Sequence, residues 1–200
     1  MLQRESKGYL DSMKNALLAA AEESVVLLDD QGREIGTAIK ASVHHATTPL
    51  HLGFSCYVFD DDGRVLITRR ALSKATWPGV WTNSFCGHPA PGEPIGSAVR
   101  RRARQELGLT LDSLTCVLPN FRYRAVSADG IVENEICPVF CASAAGPVRP
   151  EADEVMEHMW VSWGDLRSAA DLAWAISPWA AEQLPQLEVS TYLGRARSSS

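Results

Sequence analysis

Two carboxylates placed two residues apart, Glu133 and Glu135, are the feature of this chain with the clearest chemical meaning. The apolar and β-branched residues around them predict a strand, and residues i and i+2 of a strand project from the same face. Carboxylates held so close repel each other unless a proton or a cation lies with them. The pair therefore indicates a metal site, although two exposed glutamates on a half-buried strand would show the same spacing.

Histidines could complete such a site. His44, His51 and His88 precede the glutamates, and His45, next to His44, fits equally well by composition. Imidazole and carboxylate ligands together suit Mn²⁺ or Zn²⁺ better than Ca²⁺. Spacing in the sequence does not choose between the two adjacent histidines. A lone histidine is most often structural or solvent-facing, and His158 is assigned to that class.

Cys86 differs from the other cysteines in its position. It precedes Gly87 in a loop between a predicted strand and a helix, where its backbone could approach a ligand closely. The other four lie in strand-like runs and are predicted to be small buried hydrophobic residues, namely Cys56, Cys116, Cys137 and Cys141. An odd number of cysteines without a repeated spacing indicates reduced thiols in a cytoplasmic protein.

The segment after Cys86 has a fixed spacing. Gly87 is followed by five residues and Glu93, then by seven more and Arg101, and the segment ends with residues 102–109. This frame is similar to the Nudix box, the loop-helix element of proteins that bind diphosphates on a divalent cation. The helix of the box is predicted from an apolar stripe within residues 95–107.

Two acidic positions of the box are occupied by Arg102 and Gln105. A helix that replaces carboxylates by arginine binds fewer metal ions and more phosphate, which indicates an enzyme that holds a diphosphate without cutting it. Glu106 keeps the acidic type at the metal-binding position and is predicted to hold Mg²⁺. The alternative is a plain i,i+4 ion pair between Arg102 and Glu106 on a solvated helix face.

Hydrophobic periodicity predicts a mixed chain. Strand patterns cover residues 25–28, 35–39, 54–59, 65–68, 81–85, 114–118, 131–140 and 155–161. Besides the box helix, helical patterns cover residues 165–174 and a segment that Ser177-Pro178 begins as N-cap and first helical position. These elements predict an α/β or α+β sandwich.

Length and composition bound the organisation and the partners. With 200 residues and 46% hydrophobic content the chain can bury one core. We expect a helical N-terminal extension over residues 1–24, one domain over 25–187 and a flexible tail over 188–200. The net charge of −5 argues against a nucleic-acid partner. No apolar run reaches the length of a membrane span or a signal peptide, and the sequence leaves monomer and homodimer open.

From about residue 25 to 184 the chain resembles the type I isopentenyl-diphosphate isomerases, a non-hydrolytic branch of the Nudix superfamily. Ordered strings carry the resemblance: Thr68-Arg69-Arg70-Ala71-Leu72-Ser73-Lys74, Trp77-Pro78-Gly79-Val80-Trp81-Thr82-Asn83-Ser84, Cys86-Gly87-His88-Pro89, Phe121-Arg122-Tyr123-Arg124, Val132-Glu133-Asn134-Glu135, Asp153-Glu154-Val155 and Ser177-Pro178-Trp179. The resemblance implies an α/β/α sandwich with a mixed β-sheet.

The resemblance also implies two metal sites and a substrate grip. The ligands implied for one tightly bound Mn²⁺ or Zn²⁺ are His44, His51, His88, Glu133 and Glu135. Glu106 and the carbonyl of Cys86 are implied to hold Mg²⁺ together with the substrate diphosphate. The residues implied to bind that small-molecule substrate are Lys40, Arg70, Lys74, Arg102 and Trp179.

The implied reaction interconverts isopentenyl diphosphate and dimethylallyl diphosphate through a tertiary carbocation, for isoprenoid biosynthesis. Glu135, hydrogen-bonded to Tyr123, gives a proton to the alkene, and Cys86 removes a proton on the other side. Trp179 offers its π face to the cation. An ordinary Nudix hydrolase acting on nucleoside diphosphate derivatives is the first alternative, and a non-catalytic diphosphate-binding module is the second.

Overall fold

The structure of the protein is a computed structural model, which describes residues 23–172 and 174–190. The strands are β1 (Ser24–Leu28), β2 (Glu34–Ile39), β3 (His51–Leu52), β4 (Phe54–Phe59), β5 (Val65–Arg70), β6 (Trp81–Thr82), β7 (Phe85–Gly87), β8 (Ser113–Leu118), β9 (Arg122–Val126), β10 (Val132–Ile136), β11 (Val139–Ser143) and β12 (Val155–Val161). The helices are α1 (Lys40–Val43), α2 (Ile95–Leu107), α3 (Trp163–Ala169) and α4 (Pro178–Gln183), followed by a 3₁₀ turn at Leu184–Gln186.

The larger sheet forms the centre of the molecule. Its strands follow the order β12-β5-β4-β11-β8, with β6 added on β5 and β7 on β4. β11 lies parallel to β4, whereas its other neighbour β8 is antiparallel, so the sheet is mixed. All six residues of β4 are buried, as expected of a strand covered on both faces.

The two faces of this sheet bury different helices. Phe54, Cys56 and Val58 belong to a core formed with the apolar stripe of α2. Tyr57 and Phe59, pointing the other way, belong to a core formed with α3, α4 and part of β9. This alternation gives helix, sheet and helix in three layers, and the α/β/α sandwich with a mixed sheet is confirmed.

The smaller sheet places the histidines and glutamates. Its strand order is β2-β1-β3-β10-β9. β3 and β10 run parallel with Glu135 paired to His51, and β9 runs antiparallel to β10 with Tyr123 paired to Glu135. Directly paired residues have neighbouring side chains on one face of a sheet. The short strand β3, which the sequence pattern does not predict, therefore determines where His51 meets Glu135.

Several predicted boundaries differ from the structure. The single strand predicted over 131–140 is wrong: the chain leaves β10 before Pro138, which has no N–H to donate, and enters the larger sheet as β11. The predicted strand over 81–85 is divided into β6 and β7, and the helix predicted over 165–174 is α3. It begins earlier because Ser162 accepts a hydrogen bond from the Asp165 N–H at 3.1 Å.

The last helix begins at the predicted residue, but the predicted N-cap hydrogen bond to Ser177 is not made. Pro178 is the first residue of α4, yet the Ser177 side chain makes no capping hydrogen bond. Its hydroxyl instead lies 2.8 Å from the Thr82 hydroxyl in the core. The helix predicted within residues 1–24 and most of the tail predicted over 188–200 lie outside the described residues. No helix of the described part of the chain is long and apolar enough to span a bilayer.

Gly108 ends helix α2 in the left-handed conformation, with φ 66° and N–H groups returned to the last turn. A Cβ at this residue would lie 3.0 Å from the Cβ of Arg149. We expect Gly108→Ala to lower the free energy of unfolding by about 1–2 kcal/mol. Gly96→Ala is the control, since its Cβ would lie 3.8 Å from Leu114 Cδ2. Equal melting temperatures for the two variants would contradict the role of Gly108.

Candidate active site

Three imidazoles and one carboxylate converge between the sheets. His44 follows α1, His51 opens β3, His88 follows β7 and Glu135 lies in β10. One ligand atom from each lies within 4.8 Å of all the others. His51 is fully buried, and the side chains of the other three are less than one-fifth exposed. His45 instead is exposed and accepts a hydrogen bond from the Thr47 N–H, so the structure places His44 in the cluster.

Several polar atoms of the cluster are buried without a hydrogen bond. Among the described residues these atoms are His44 Nε2, His51 Nε2, His88 Nδ1 and Glu133 Oε2. His44 Nε2 and Glu133 Oε2 lie 3.0 Å apart, but not in hydrogen-bonding geometry. The Nδ1–H of His51 donates to the carbonyl of Pro49 at 2.9 Å, which leaves the Nε2 lone pair directed at the cluster. Buried acceptors that lack a proton donor suit a bound cation, so the donor set fits Mn²⁺ or Zn²⁺.

The titration of Glu135 is governed by its imidazole neighbours. Burial alone would raise the pKa of this carboxyl, but the neighbouring imidazoles of His51 and His88 outweigh that effect and hold its pKa well below the usual value. The His88 Nε2 lies 3.0 Å from Glu135 Oε1. The pKa of His88 is lowered by burial, whereas that of His51 is raised because Glu135 outweighs burial there. Glu135 is therefore an ionised carboxylate among imidazoles.

Gly53 makes room for this carboxylate. A Cβ on Gly53 would collide with the carboxylate oxygen of Glu135. The glycine is thus required by close approach, since any side chain there would displace Glu135 from the histidines. Sequence reasoning did not identify this position. A glycine between two buried strands, β3 and β4, was the signal available for it.

A cavity of about 430 Å³ opens beside the cluster. The residues implied as metal ligands, substrate contacts or proton-transfer groups line this cavity, except the fully buried His51; they are Lys40, His44, Arg70, Lys74, Cys86, His88, Arg102, Glu106, Tyr123, Glu133, Glu135 and Trp179. The cavity therefore joins the imidazole cluster, the cationic side chains and the thiol in one space. Such a concave, partly apolar space with a few polar groups is typical of small-molecule sites.

The cations of the cavity are held by carboxylates. Lys40 Nζ lies 2.6 Å from Glu23, and Lys74 Nζ lies 2.5 Å from Glu154. Arg102 donates to Glu106 at 2.7 Å and to Glu154 at 3.1 Å. The i,i+4 pair considered in the sequence is thus formed, but it is buried in the cavity wall rather than solvated. Glu154, part of a string that carries the resemblance, received no role from the sequence.

Burial determines the direction of the pKa shift of Glu106 but not that of Arg102. It raises the pKa of Glu106, and the positive charge of Arg102 compensates only in part. The pKa of Arg102 is raised because the attraction of Glu106 and Glu154 outweighs burial. Burial disfavours the ionised form of a carboxyl group, and a further positive charge nearby stabilises that form. Glu106 accordingly is suited to a divalent cation as well as to its arginine.

The Cys86 thiol lies on another wall of the cavity. Its Sγ donates to Asn83 Oδ1 at 3.3 Å and lies 3.4 Å from the Ser55 hydroxyl. Burial raises the pKa of this thiol to about 11, although both hydrogen bonds act in the opposite direction. Cys86 is therefore a protonated thiol near neutral pH. Neither Asn83 nor Ser55 was singled out in the sequence.

Aromatic rings close the remaining wall. Trp179 is buried, with the Arg70 guanidinium 5.5 Å from its ring centroid and the Trp77 ring in a T-shaped arrangement at 5.4 Å between centroids. Trp77 itself has a φ of 45°, a left-handed conformation unusual for a large side chain. Tyr123 stands beside Glu135 in the ladder. The hydrogen bond expected between these two side chains is not formed in the part of the chain that the structure describes.

Metal content tests the imidazole cluster. Purified protein should retain about one equivalent of Mn²⁺ or Zn²⁺, and His51→Ala should lower the affinity for that ion at least about tenfold because a buried ligand is lost. His158→Ala is the matched control, since this histidine is exposed on β12. Elemental analysis after dialysis measures both. Full metal content in His51→Ala would contradict the site.

The pH dependence of alkylation tests the environment of Cys86. A raised pKa leaves the thiol neutral at pH 7, and the thiolate fraction increases about tenfold per pH unit until the pH approaches the pKa near 11. The rate of modification by iodoacetamide should therefore still increase between pH 9 and 10, where that of free cysteine levels off. Peptide mass spectrometry, with Cys86→Ala to identify the site, follows the rate. A rate that reaches a plateau below pH 9 would show that the pKa of the Cys86 thiol is not raised.

Comparison with known proteins agrees with this geometry. Residues 49–187 match the NUDIX domain. The isopentenyl-diphosphate Delta-isomerase of Mycolicibacterium vanbaalenii is 66% identical over 168 residues, which cover 84% of this chain and 93% of that protein. The one of Clavibacter sepedonicus is 64% identical over 166 residues, covering 82% and 87%. The crystal structure of DR0079 from Deinococcus radiodurans, only 18% identical, shares the fold with a TM-score of 0.65 over 82% of this chain and 99% of its own. The chain belongs to the isopentenyl-diphosphate Delta-isomerase family of NUDIX-domain proteins.

Proposed function

We propose that the protein is an isopentenyl-diphosphate Delta-isomerase that interconverts isopentenyl and dimethylallyl diphosphate and supplies isoprenoid biosynthesis. The observation that carries the proposal is one cavity that joins a thiol, an ionised carboxylate and a set of cations. The names of relatives 54–66% identical over most of the chain support it. All five cysteines lie in the described residues and none of them forms a disulfide there, which supports a cytoplasmic location.

The reaction moves a double bond by two proton transfers. One carbon of the alkene gains a proton, a tertiary carbocation forms, and a carbon two positions away loses a proton. Because an unactivated alkene is a poor base, the donor must be well placed and water must be excluded from the cation. Two groups that differ in protonation state and line one cavity meet this requirement.

We assign the proton transfers to Cys86 and Glu135. The raised pKa of Cys86 and the lowered pKa of Glu135 suit donation by the thiol and acceptance by the carboxylate in one direction. Each step must be reversible, so the two groups exchange roles when the reaction runs the other way. Glu135 is then the proton donor, as the resemblance implies, and Cys86 is the acceptor. Tyr123, which is paired with Glu135 in the ladder and is itself buried, helps to keep water from the carboxylate.

The carbocation would lie against aromatic faces. The buried Trp179 ring offers a π surface, and a desolvated cation–π contact is worth about 2 kcal/mol. Trp77 packs against that ring in a T-shaped arrangement, which helps to fix the plane of Trp179. The Arg70 guanidinium lies near the same ring, so the group that would bind the diphosphate is next to the group that would face the hydrocarbon part of the substrate.

The diphosphate would be bound by the cations of the cavity. Lys40, Arg70, Lys74 and Arg102 supply donors whose charge matches a diphosphate. Glu106 and the carbonyl of Cys86 would hold Mg²⁺, which when bound neutralises phosphate oxygens. His44, His51, His88, Glu133 and Glu135 would hold Mn²⁺ or Zn²⁺, which when bound fixes Glu135 and lowers its proton affinity. Arg102 and Gln105 in place of box carboxylates disfavour hydrolysis, for which several carboxylates must gather metal ions around the cleaved bond.

Turnover in deuterated water tests the proposal. Protein incubated with isopentenyl diphosphate and Mg²⁺ should yield dimethylallyl diphosphate that carries deuterium, with no release of phosphate or pyrophosphate, as measured by proton and phosphorus NMR. Cys86→Ala and Glu135→Gln should each lower kcat about 10³-fold or more, because each removes one proton-transfer group. Cys116→Ala is the control, because this cysteine is exposed and the prediction that it is buried is wrong.

Two outcomes would overturn the proposal. Undeuterated, unchanged substrate would exclude the isomerase reaction, and phosphate released from nucleoside diphosphate derivatives would support a hydrolase instead. Near-normal turnover in Cys86→Ala or Glu135→Gln, with the fold intact by circular dichroism, would exclude the assigned proton transfers.

A further inference from the structure

We propose that Asn83 and Ser55 are positioning residues that hold the Cys86 thiol, and that helix α4 holds both of them through Trp179 and Gln183. The proposal rests on the proposed function for its kinetic consequences, but its geometry is independent of any substrate. Asn83, Ser55 and Gln183 are fully buried. Buried polar side chains far from solvent are costly unless they are fully hydrogen-bonded, so their arrangement calls for a specific role.

The first connection runs through Asn83. Its Oδ1 accepts hydrogen bonds from the Cys86 thiol at 3.3 Å, the Trp179 indole N–H at 3.0 Å and the Thr82 hydroxyl at 2.7 Å. Its amide nitrogen donates to the backbone carbonyls of Cys56 and Phe85, at 3.1 and 2.7 Å. Because both ends are occupied, the amide cannot rotate, and one oxygen sets the position of the thiol and of the indole together.

The second connection runs through Ser55, the direct cross-strand neighbour of Cys86. The Tyr57 hydroxyl donates to Gln183 Oε1 at 2.9 Å, and Gln183 Nε2 donates to the Ser55 hydroxyl oxygen at 2.9 Å. The Ser55 hydroxyl therefore accepts one hydrogen bond through its oxygen and can donate its own hydrogen to a neighbouring sulfur. The sulfurs of Cys86 and Cys137 each lie 3.4 Å from it.

Both connections begin on the same helix. Trp179 and Gln183 are four residues apart in α4, so their side chains project from one face of it. Asn83 and Ser55 come from different elements, the β6–β7 junction and β4, and meet at Cys86. Helix α4, which carries Trp179, thus also fixes the position of the Cys86 sulfur. The thiol and the Trp179 ring therefore keep one relative geometry. Misplacing a reacting group by about 1 Å can cost about 10²-fold in rate.

Kinetics of a double-mutant cycle tests the second connection. Ser55→Ala and Gln183→Leu should each lower kcat about tenfold and change KM less than about twofold, since the diphosphate grip is untouched. The double variant should lose about tenfold as well, because both changes break the same connection. Gln186→Leu is the matched control: this glutamine is exposed and bonds only the Glu182 carbonyl among the described residues.

Two kinetic results would overturn the role of Gln183 and Ser55. One is a double variant that loses about a hundredfold, the product of the single losses. The other is a KM that rises while kcat stays unchanged. Melting temperatures identify variants that are only unstable, and Ser55→Thr, which retains the hydroxyl, should recover most of kcat where Ser55→Ala does not.

A second measurement needs no turnover. In ¹⁵N-labelled protein the indole N–H of Trp179, assigned with Trp179→Phe, should exchange slowly with D₂O, and Asn83→Ala should speed its exchange about tenfold or more. Asn83→Asp, which keeps the acceptor oxygen, serves if Asn83→Ala does not fold, and should leave the exchange slow. An indole that exchanges rapidly in the wild-type protein would overturn the first connection. A wild-type protein with a protected indole and no isomerase activity would instead overturn the proposed function alone.

Discussion

The parallel pairing of β3 with β10 is the constraint on which the site depends. It aligns His51 with Glu135, and the antiparallel pairing on the other side aligns Tyr123 with the same carboxylate. A shift of one residue would turn Glu133 and Glu135 to the opposite face and leave buried imidazoles without an acidic partner. Register here is therefore enforced by electrostatics as well as by packing. The absence of a side chain at Gly53 allows the strands to reach this arrangement.

Three of the cations that line the cavity are paired with carboxylates before any diphosphate enters. Each of Lys40, Lys74 and Arg102 is paired with a carboxylate, and Arg102 with two. Buried cations without partners would be unfavourable, so the pairs keep the grip folded and in place. A diphosphate must compete with Glu23 and Glu154 for these cations. The carboxylates thus moderate the affinity for anions while they preorganise the donors.

Much of the site follows from the sequence because its residues lie in local patterns. The Glu133–Glu135 alternation, the box spacing and the Gly108 end of α2 each depend on a few neighbouring residues. Composition leaves His44 and His45 equivalent; the family resemblance selects His44, and the structure places that residue in the cluster. Ser55 and Gln183 are 128 residues apart, and only the packing of α4 on the sheet brings them together. The division of 131–140 at Pro138 was available in the sequence, since proline cannot continue a central strand.

Trp77 contributes to the aromatic wall of the cavity in a strained backbone conformation. A bulky residue with φ of 45° costs about 1–3 kcal/mol relative to a glycine in that place. The loop keeps Trp77 there because the Arg70 guanidinium binds the neighbouring Thr76 carbonyl and the Trp77 ring packs against Trp179. Stability and chemistry therefore conflict at this residue. Selection for heat resistance alone would favour a small residue at position 77, so a thermostable version of this enzyme must gain its stability elsewhere in the chain.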